Sequence, residues 1–324
     1  MPDHFIDTIL QHIAKLGVRE VCVAAGARNV NLIRSLTSSR NVRLWRFFEE
    51  RSMAFFALGR MLATGRPVAV VTTSGTAAVE TMPAVVEAHH QGLPLVVITA
   101  DRPRSYRNSG APQAIDQTRL FGPHAEFIDL AEDDEQTSWP HLLLAQPLQV
   151  NVCLEEGLAS VRGIDFHACD PLLTDPSPVQ LTLPPIDLVL AAGMSPDVAL
   201  THEQALLGLG APIIAEATAN LPPSLNRLLV PGGESALAAS NPKRVLRLGS
   251  VPSWRWWRDL ETKPEVEVIH LSQAPYPGLA RDVGQSVWPI FTALTAAPSP
   301  CQALPDITTS LDAALANHPH SEHA

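Results

Sequence analysis

The sequence predicts an α/β protein made of two doubly wound domains, and three patterns support this fold class. Short apolar runs alternate with helical stretches along the first half of the chain. A Pro- and Thr-rich segment follows, and the alternation then begins again. Strands that are apolar on both faces and are separated by helices indicate parallel sheets covered on both sides. We therefore expect two three-layer, Rossmann-like domains with mostly parallel sheets.

Residues 1–168 form the first predicted domain. Its strands are expected at residues 20–25, 42–47, 68–73, 95–100, 126–130 and 149–153. Its helices are expected to begin near Val30, Glu50, Thr76 and Ala114. The second of these helices should end near Thr64, because Gly65 can cap it and Pro67 cannot continue it.

The helix that begins at Glu50 is apolar on almost every face. Such a helix has to be covered on both sides, by its own sheet or by another subunit. Glu50 lies where an apolar strand meets this helix, so its carboxylate should be costly to desolvate. A group in that position is expected to have a raised pKa or a dedicated partner, as working acids and bases do. The alternative is a carboxylate that simply caps the helix N-terminus.

The second half of the chain is divided into a linker at residues 169–185, a central domain at 186–295 and a tail at 296–324. Strands of the central domain are expected at residues 187–192, 212–215, 244–248 and 266–271. The turns at Gly193 and Gly249 do not complete a dinucleotide-binding fingerprint, so no nicotinamide or flavin site is predicted. The tryptophan-rich segment 253–258 is either a partner-docking surface or a helix start packed on its own domain.

The overall composition narrows the class of partner. A formal net charge of −10 argues against nucleic acid or an anionic membrane surface. No run approaches the roughly 20 apolar residues that span a bilayer. The N-terminus lacks a basic region followed by an apolar run, so we expect a cytoplasmic protein. The four cysteines are widely spaced, which favours reduced thiols over disulfides or a metal site.

Four loops at the carboxyl ends of the first-domain strands carry the polar residues, and this is the edge where open parallel sheets bind ligands. Arg28 in the first loop could bind a carboxylate or phosphate through two hydrogen bonds, or it could be a solvated surface residue. Ser74 and Gly75 lie in a small, hydroxyl-rich turn after a strand and could contact a ligand. The alternative is that Ser74 or Thr73 simply caps the helix that follows. Arg102 and Gln113 belong to the last loop, which runs from Thr99 to Gln117.

Taken together, the loops resemble one enzyme family. The matching segments are Glu50-Arg51-Ser52, Phe55-Phe56-Ala57-Leu58-Gly59, Thr73-Ser74-Gly75-Thr76-Ala77, Thr99-Ala100-Asp101-Arg102-Pro103 and Gln113-Ala114-Ile115-Asp116-Gln117. Their order and spacing are similar to those of 2-succinyl-5-enolpyruvyl-6-hydroxy-3-cyclohexene-1-carboxylate synthase, a thiamine-diphosphate enzyme of menaquinone biosynthesis. The resemblance is strong to about Glu156 and weaker through the central domain.

The resemblance implies a role for each site residue. Glu50 would hydrogen-bond the N1′ nitrogen of the cofactor's aminopyrimidine, with Ser74, Gly75 and Gln113 as further cofactor contacts. Arg28, Arg102 and Gln113 would bind substrate, although Arg102 could also only brace its loop. The implied reaction is the decarboxylation of 2-oxoglutarate and the addition of the succinyl-semialdehyde carbanion to isochorismate.

Two departures from the family pattern fall in the expected pocket. Ala27 stands where the family usually has serine, and Pro112 stands where it usually has asparagine. The proline removes both a side-chain amide and a backbone donor. These changes leave the acceptor substrate open but not the cofactor class.

A larger departure concerns the diphosphate end of the cofactor. The family anchors the diphosphate through Mg²⁺ on a separate domain with a Gly-Asp-Gly type of motif, and this sequence contains no such motif. We therefore expect the chain to hold no metal itself and to be inactive alone. A partner subunit would hold the diphosphate and Mg²⁺, while the pyrimidine-binding domain would form a homo-oligomer. The alternatives are a non-catalytic regulatory or binding homologue and a fragment of a longer gene product.

Overall fold

The computed structural model describes residues 5–132, 134, 139, 146–168, 181–272, 274, 276–281, 283, 286–287 and 294–296. The chain divides into two compact units, Met1–Asp175 and Pro176–Ala324. Both units contain parallel sheets and helices, so the predicted α/β fold with two doubly wound units is confirmed. Within these described ranges, every helix is too short or too polar to cross a membrane.

The first unit is built on a six-stranded sheet with the order β2-β1-β3-β4-β6-β5. All of its strand pairs are parallel. Its elements are α1 (Phe5–Lys15), β1 (Glu20–Ala24), α2 (Val30–Ser38), β2 (Arg43–Phe47), α3 (Glu50–Thr64), β3 (Val68–Thr72), α4 (Thr76–Val79), α5 (Met82–Gln91), β4 (Leu95–Asp101), β5 (Glu126–Ala131) and β6 (Leu148–Cys153).

Two apolar clusters pack on the two faces of this sheet. One includes Leu10 of α1 and Leu32 of α2, and the other includes Met53 of α3 and Val85 of α5. Every residue of β3 and β4 is buried as a result. Burial on both faces is the reason these strands read as nearly continuous apolar runs in the sequence.

Helix α3 begins and ends at the predicted residues. Gly65 has a φ of 64°, and its backbone nitrogen donates to the carbonyl oxygen of Met61. Glycine adopts the left-handed backbone conformation most easily, and here that conformation closes the last turn of the helix.

The prediction that a helix begins near Ala114 is wrong. Residues 111–121 form turns and irregular backbone, followed by a short 3-10 helix at Gly122–His124. Gln113 and Arg119 have φ values of 56° and 49°, which no α-helix can include. The Asp116 side chain also accepts a hydrogen bond from the backbone of Thr118, which is the local turn chemistry that competes with helix formation.

The second unit contains a five-stranded parallel sheet with the order β12-β11-β10-β8-β9 and a separate parallel pair, β13-β7. Its elements are β7 (Leu181–Leu183), β8 (Leu188–Ala191), α6 (Pro196–Leu209), β9 (Ile213–Ala215), α7 (Gly233–Ala239), β10 (Arg244–Leu248), α8 (Arg255–Asp259), β11 (Glu267–Leu271), β12 (Ser286–Val287) and β13 (Leu294–Ala296).

Several boundary predictions fall in or near this unit. Strand β7 lies inside the segment predicted as a linker, whose other residues, 169–180 and 184–185, are partly outside the described ranges. The tail from residue 297 is also outside them.

Trp256 and Trp257 are buried in the unit's own core, so the prediction that the tryptophan segment is a helix start packed on its own domain is confirmed. Cys22 and Cys153 are buried free thiols, while Cys169 and Cys301 lie outside the described residues.

Candidate functional site

The carboxyl edge of the first sheet has a crevice position between β1 and β3, because the chain proceeds from β1 outward to β2 and then returns to β3 on the other side. Open α/β sheets bind ligands at such points. The loops that follow these two strands touch each other. A Cβ atom added to Gly26 would lie 2.5 Å from the Cβ of Thr73, so only glycine allows this approach.

Asn29 fixes the shape of the first loop, and the sequence analysis did not single it out. Its side chain accepts a hydrogen bond from Gly26 N at 2.9 Å and donates to the carbonyl oxygen of Ala24 at 2.8 Å. Although Asn29 occupies the N-cap of α2, its side chain makes no capping bond. The asparagine therefore holds the turn that presents Arg28. Asparagine at the first residue before a helix was the signal that could have drawn attention to it.

Arg28 and Arg102 come together at a third residue, Glu156. Arg28 Nη2 lies 3.3 Å from Glu156 Oε1, and Arg102 Nη1 lies 3.8 Å from the same oxygen. Arg28 also donates to the carbonyl oxygen of Leu154, and Arg102 donates to that of Pro112. The side chains of Arg28 and Arg102 are only 12% and 19% exposed, so Arg28 is not the freely solvated residue considered above.

Glu50 is half-buried at the start of α3, so the full desolvation expected from the sequence is not seen in the single chain. The capping alternative belongs instead to Glu49. The Glu49 carboxylate accepts from the backbone nitrogens of Arg51 and Ser52 at 2.9 and 2.8 Å, and also from the Ser52 hydroxyl. The Ser52 hydroxyl bond is the main reason that the pKa of Glu49 is lowered. Among the described residues, the Glu50 carboxylate has no hydrogen-bond or ion-pair partner.

The turn after β3 brings Gly75 against Gln113. Gly75 has a φ of 83°, and a Cβ on it would lie 3.2 Å from Gln113 Cα. Ser74 is buried, while the Gln113 side chain is exposed. The N-cap of α4 is Gly75, and no side chain caps that helix, so the capping alternative for Ser74 is wrong.

A buried polar network under this turn was missed by the sequence analysis. The Gln117 side chain accepts from Gly75 N at 2.8 Å and donates to Asn151 Oδ1 at 2.9 Å. Asn151 in turn donates to Asp101 Oδ2 at 3.0 Å. The signal was present in β6, where Gln149 and Asn151 alternate with apolar residues and therefore point to one face.

Two carboxylates at the edge of this network have pKa values that are shifted in opposite directions. Burial raises the pKa of Asp101, although the hydrogen bond from Asn151 partly offsets this effect. Burial also acts to raise the pKa of Asp129, but hydrogen bonds from Arg107 and Asn151 outweigh it, and the pKa of Asp129 is lowered. Asp101 also accepts a bond from Arg102 N at 2.8 Å, so it shapes the loop that carries Arg102.

The first unit, with its loops at the carboxyl edge of the sheet, resembles a known class of protein. Residues 4–120 match the family model described as "Thiamine pyrophosphate enzyme, N-terminal TPP binding domain". This part of the chain therefore resembles the N-terminal, thiamine-diphosphate-binding domain of that enzyme class, as the sequence analysis expected.

The more specific resemblance is confirmed as well. The chain is 38% identical over 298 residues to the 2-succinyl-5-enolpyruvyl-6-hydroxy-3-cyclohexene-1-carboxylate synthase of Akkermansia muciniphila, covering 86% of this chain and 55% of that protein. It is 36% identical over 294 residues to the synthase of Bdellovibrio bacteriovorus, covering 85% of this chain and 56% of that protein. The chain thus spans little more than half the length of these curated relatives.

A solved structure supports the fold. The thiamine diphosphate-dependent 4-hydroxybenzoylformate decarboxylase of Rhodococcus jostii RHA1 matches with a TM-score of 0.59 and 14% identity, covering 93% of this chain and 64% of that chain. Identity this low carries information on the fold alone.

The described residues fit one end of thiamine diphosphate. Glu50 is an acceptor without a described partner, and the close approach of Gly75 to Gln113 leaves no room for a larger side chain at the turn. The described part of the chain has no group of three or more His, Cys, Asp or Glu residues that could hold a metal ion.

Proposed function

We propose that this chain provides the pyrimidine-binding part of a 2-succinyl-5-enolpyruvyl-6-hydroxy-3-cyclohexene-1-carboxylate synthase. The reaction would be decarboxylation of 2-oxoglutarate followed by addition to isochorismate. The observation that carries this proposal is Glu50, a half-buried carboxylate that Glu49 relieves of helix capping. The resemblance to the synthases over most of the chain supports the choice of substrates.

Each site residue has one task in this proposal. Glu50 holds a proton at the N1′ nitrogen of the aminopyrimidine. Ser74, Gly75 and Gln113 line the ring, with Gly75 kept in place by Gln117. Arg28 and Arg102 bind carboxylate groups of the substrates, for which the planar guanidinium is well suited.

Bound thiamine diphosphate would supply the carbon nucleophile and accept the electrons released with carbon dioxide. Glu50 can hold a proton at a weakly basic ring nitrogen only if water does not compete for that nitrogen. The half-exposure of Glu50 in the single chain is therefore a reason to expect a covering partner.

An exposed apolar row beside Glu50 supports the position of that partner. Phe48 is 103% exposed, Phe55 is 43% exposed and Leu62 is 50% exposed. Their spacing of seven residues places Phe55 and Leu62 on one face of α3, with Phe48 just before the helix. Exposed apolar groups in such a row are typical of interaction sites. We call Phe48, Phe55 and Leu62 the α3 stripe.

We propose that another protein chain covers the α3 stripe and completes the burial of Glu50. The same assembly would include a second copy of this domain and a polypeptide that holds the diphosphate and Mg²⁺. Mg²⁺ is suited to this task because it binds substrate phosphates together with one or two carboxylates. We place this assembly in the cytoplasm.

Co-expression with the partner tests the proposal. A neighbouring reading frame that carries a Gly-Asp-Gly type of motif would be expressed with this chain, and binding of thiamine diphosphate and Mg²⁺ would be measured by calorimetry. We expect binding by the pair and 2-oxoglutarate decarboxylation that Glu50→Gln abolishes. A pair that binds no cofactor would favour a regulatory homologue. Robust turnover by this chain alone would contradict the need for a partner.

A further inference from the structure

Glu156 lies where a ligand carboxylate would lie between Arg28 and Arg102. Its oxygen Oε1 is the shared neighbour of both guanidinium groups, at 3.3 and 3.8 Å. Two mostly buried cations therefore share one anion. The site retains an excess positive charge of one among these three side chains.

The contact that Glu156 makes is weaker than the arginines allow. A guanidinium can bind a carboxylate through two parallel hydrogen bonds. Arg28 makes a single hydrogen bond to Glu156, and Arg102 Nη1 lies 3.8 Å away, which is beyond hydrogen-bond distance. The Glu156 side chain is also 77% exposed, so water screens the attraction.

The backbone around Glu156 is held independently of this contact. Asn31 is buried, and its side chain donates to the carbonyl oxygen of Gly157 at 2.9 Å and accepts from Ala159 N at 3.2 Å. The Arg28 guanidinium is likewise held from behind by the carbonyl oxygen of Leu154. Rotation of the Glu156 side chain alone would therefore open the arginines to another carboxylate.

We propose that Glu156 is an internal competitor for the substrate carboxylate, which it yields when a ligand binds Arg28 and Arg102. This inference rests on the proposed assignment of the two arginines to substrate carboxylates. The ligand class is a small molecule with a free carboxylate, such as a 2-oxo dicarboxylate. Glu156 then sets how strongly carboxylates bind.

The test is a titration of the full chain with 2-oxoglutarate, followed by ligand-observed NMR, which detects weak binding. Glu156→Gln keeps the side-chain shape and removes the competing charge. We expect this variant to bind 2-oxoglutarate about 1.4- to 5-fold more tightly, which corresponds to the strength of exposed ion pairs. The neighbouring Glu155→Gln removes the same charge at an exposed residue and should change binding much less. Arg28→Met should abolish the binding.

Three results would overturn the inference. If Glu156→Gln weakens binding, the carboxylate positions the arginines for the ligand instead of competing with it. If Glu155→Gln and Glu156→Gln strengthen binding equally, the effect is one of net charge. If neither the native chain nor Glu156→Gln binds 2-oxoglutarate, the two arginines are not a carboxylate site. None of these titrations requires cofactor, so their failure is distinguishable from failure of the cofactor proposal for Glu50.

Discussion

Glu49 and Glu50 are neighbours in the chain, but only the Glu49 side chain caps α3. Its carboxylate accepts from the backbone nitrogens of Arg51 and Ser52 at 2.9 and 2.8 Å. Glu50 meets no donor among the described residues and remains half-buried. Glu49 therefore caps the helix, and the Glu50 carboxylate is left available for the role proposed above.

The contact between the loops after β1 and β3 should depend on Gly26. We expect Gly26→Ala to lower the free energy of unfolding by about 1–3 kcal/mol, because its Cβ would lie 2.5 Å from Thr73 Cβ. Gly59→Ala in α3 is the matched control, since an added Cβ meets nothing within 4 Å there. The control should gain up to about 1 kcal/mol from helix propensity. Urea unfolding of both variants measures this, and equal effects would contradict the close approach.

The buried network should depend on Gln117 much more than on Gln113. Gln117→Leu leaves Gly75 N without its partner and removes one of the two hydrogen bonds to Asn151 Oδ1, which keeps the bond from the Thr99 hydroxyl. We therefore expect a loss of about 1–3 kcal/mol in unfolding free energy. Gln113→Asn changes an exposed side chain, and asparagine tolerates the positive φ of this position. We therefore expect the unfolding free energy of this variant to stay within about 0.5 kcal/mol of the native value. Chemical denaturation compares the two. A small effect at Gln117 would mean that the network contributes little to stability.

The junction of β1 and α3 should lose stability in acid. The hydrogen bond from Arg60 is the main reason that the pKa of Glu20 is lowered, and Trp45 adds a further bond at 2.6 Å. The folded pKa lies below the ordinary value of about 4.3, so this stabilisation is present above that value and is lost as pH falls through the folded pKa.

We therefore expect Glu20→Gln to be less stable than the native chain at pH 7 and to approach it in stability below pH 4. Thermal unfolding across this pH range measures the difference. Glu126→Gln, at an exposed residue without a described ion pair, should show no such convergence. A difference that stays constant with pH would contradict the role of the Glu20 charge.

The α3 stripe should matter for assembly and not for folding of the chain. We expect Phe48→Glu to change unfolding free energy by no more than about 0.5 kcal/mol, because the side chain is 103% exposed. The same variant should weaken association with the chain that covers the α3 stripe about ten-fold or more, since buried aromatic residues dominate the binding energy of interfaces. Leu200→Glu on α6 is the control, at a side chain that is 54% exposed. Sedimentation measurements that find both variants alike would contradict this interface.

The sequence was sufficient to predict the sheets, because strands such as Val68–Thr72 are buried on both faces and remain apolar throughout. It was also sufficient for the end of α3, where Gly65 and Pro67 leave little choice. The resemblance identified the loops that meet at the sheet edge. Arg28 and Arg102 do lie close together there, each within 4 Å of the same Glu156 oxygen.

Other features depend on backbone angles that residue types do not determine. Either glutamate could have capped α3, and the extended conformation of Glu49, with φ −133° and ψ 130°, decides between them. The turns at residues 111–121 rest on positive φ values at Gln113 and Arg119, where no glycine marks the change. The network of Gln117 depends on long-range contacts to β6, so only the alternating polar residues of that strand gave a local signal.

The most direct test of the central proposal is thiamine diphosphate binding and 2-oxoglutarate decarboxylation by the co-expressed pair, compared between Glu50→Gln and Glu80→Gln. Glu80 is an exposed carboxylate that pairs with Arg51, so its loss removes the same charge near α3. We predict that Glu50→Gln abolishes decarboxylation while Glu80→Gln retains it. Equal activity in the two variants would contradict the assignment of Glu50 as the carboxylate that serves the cofactor.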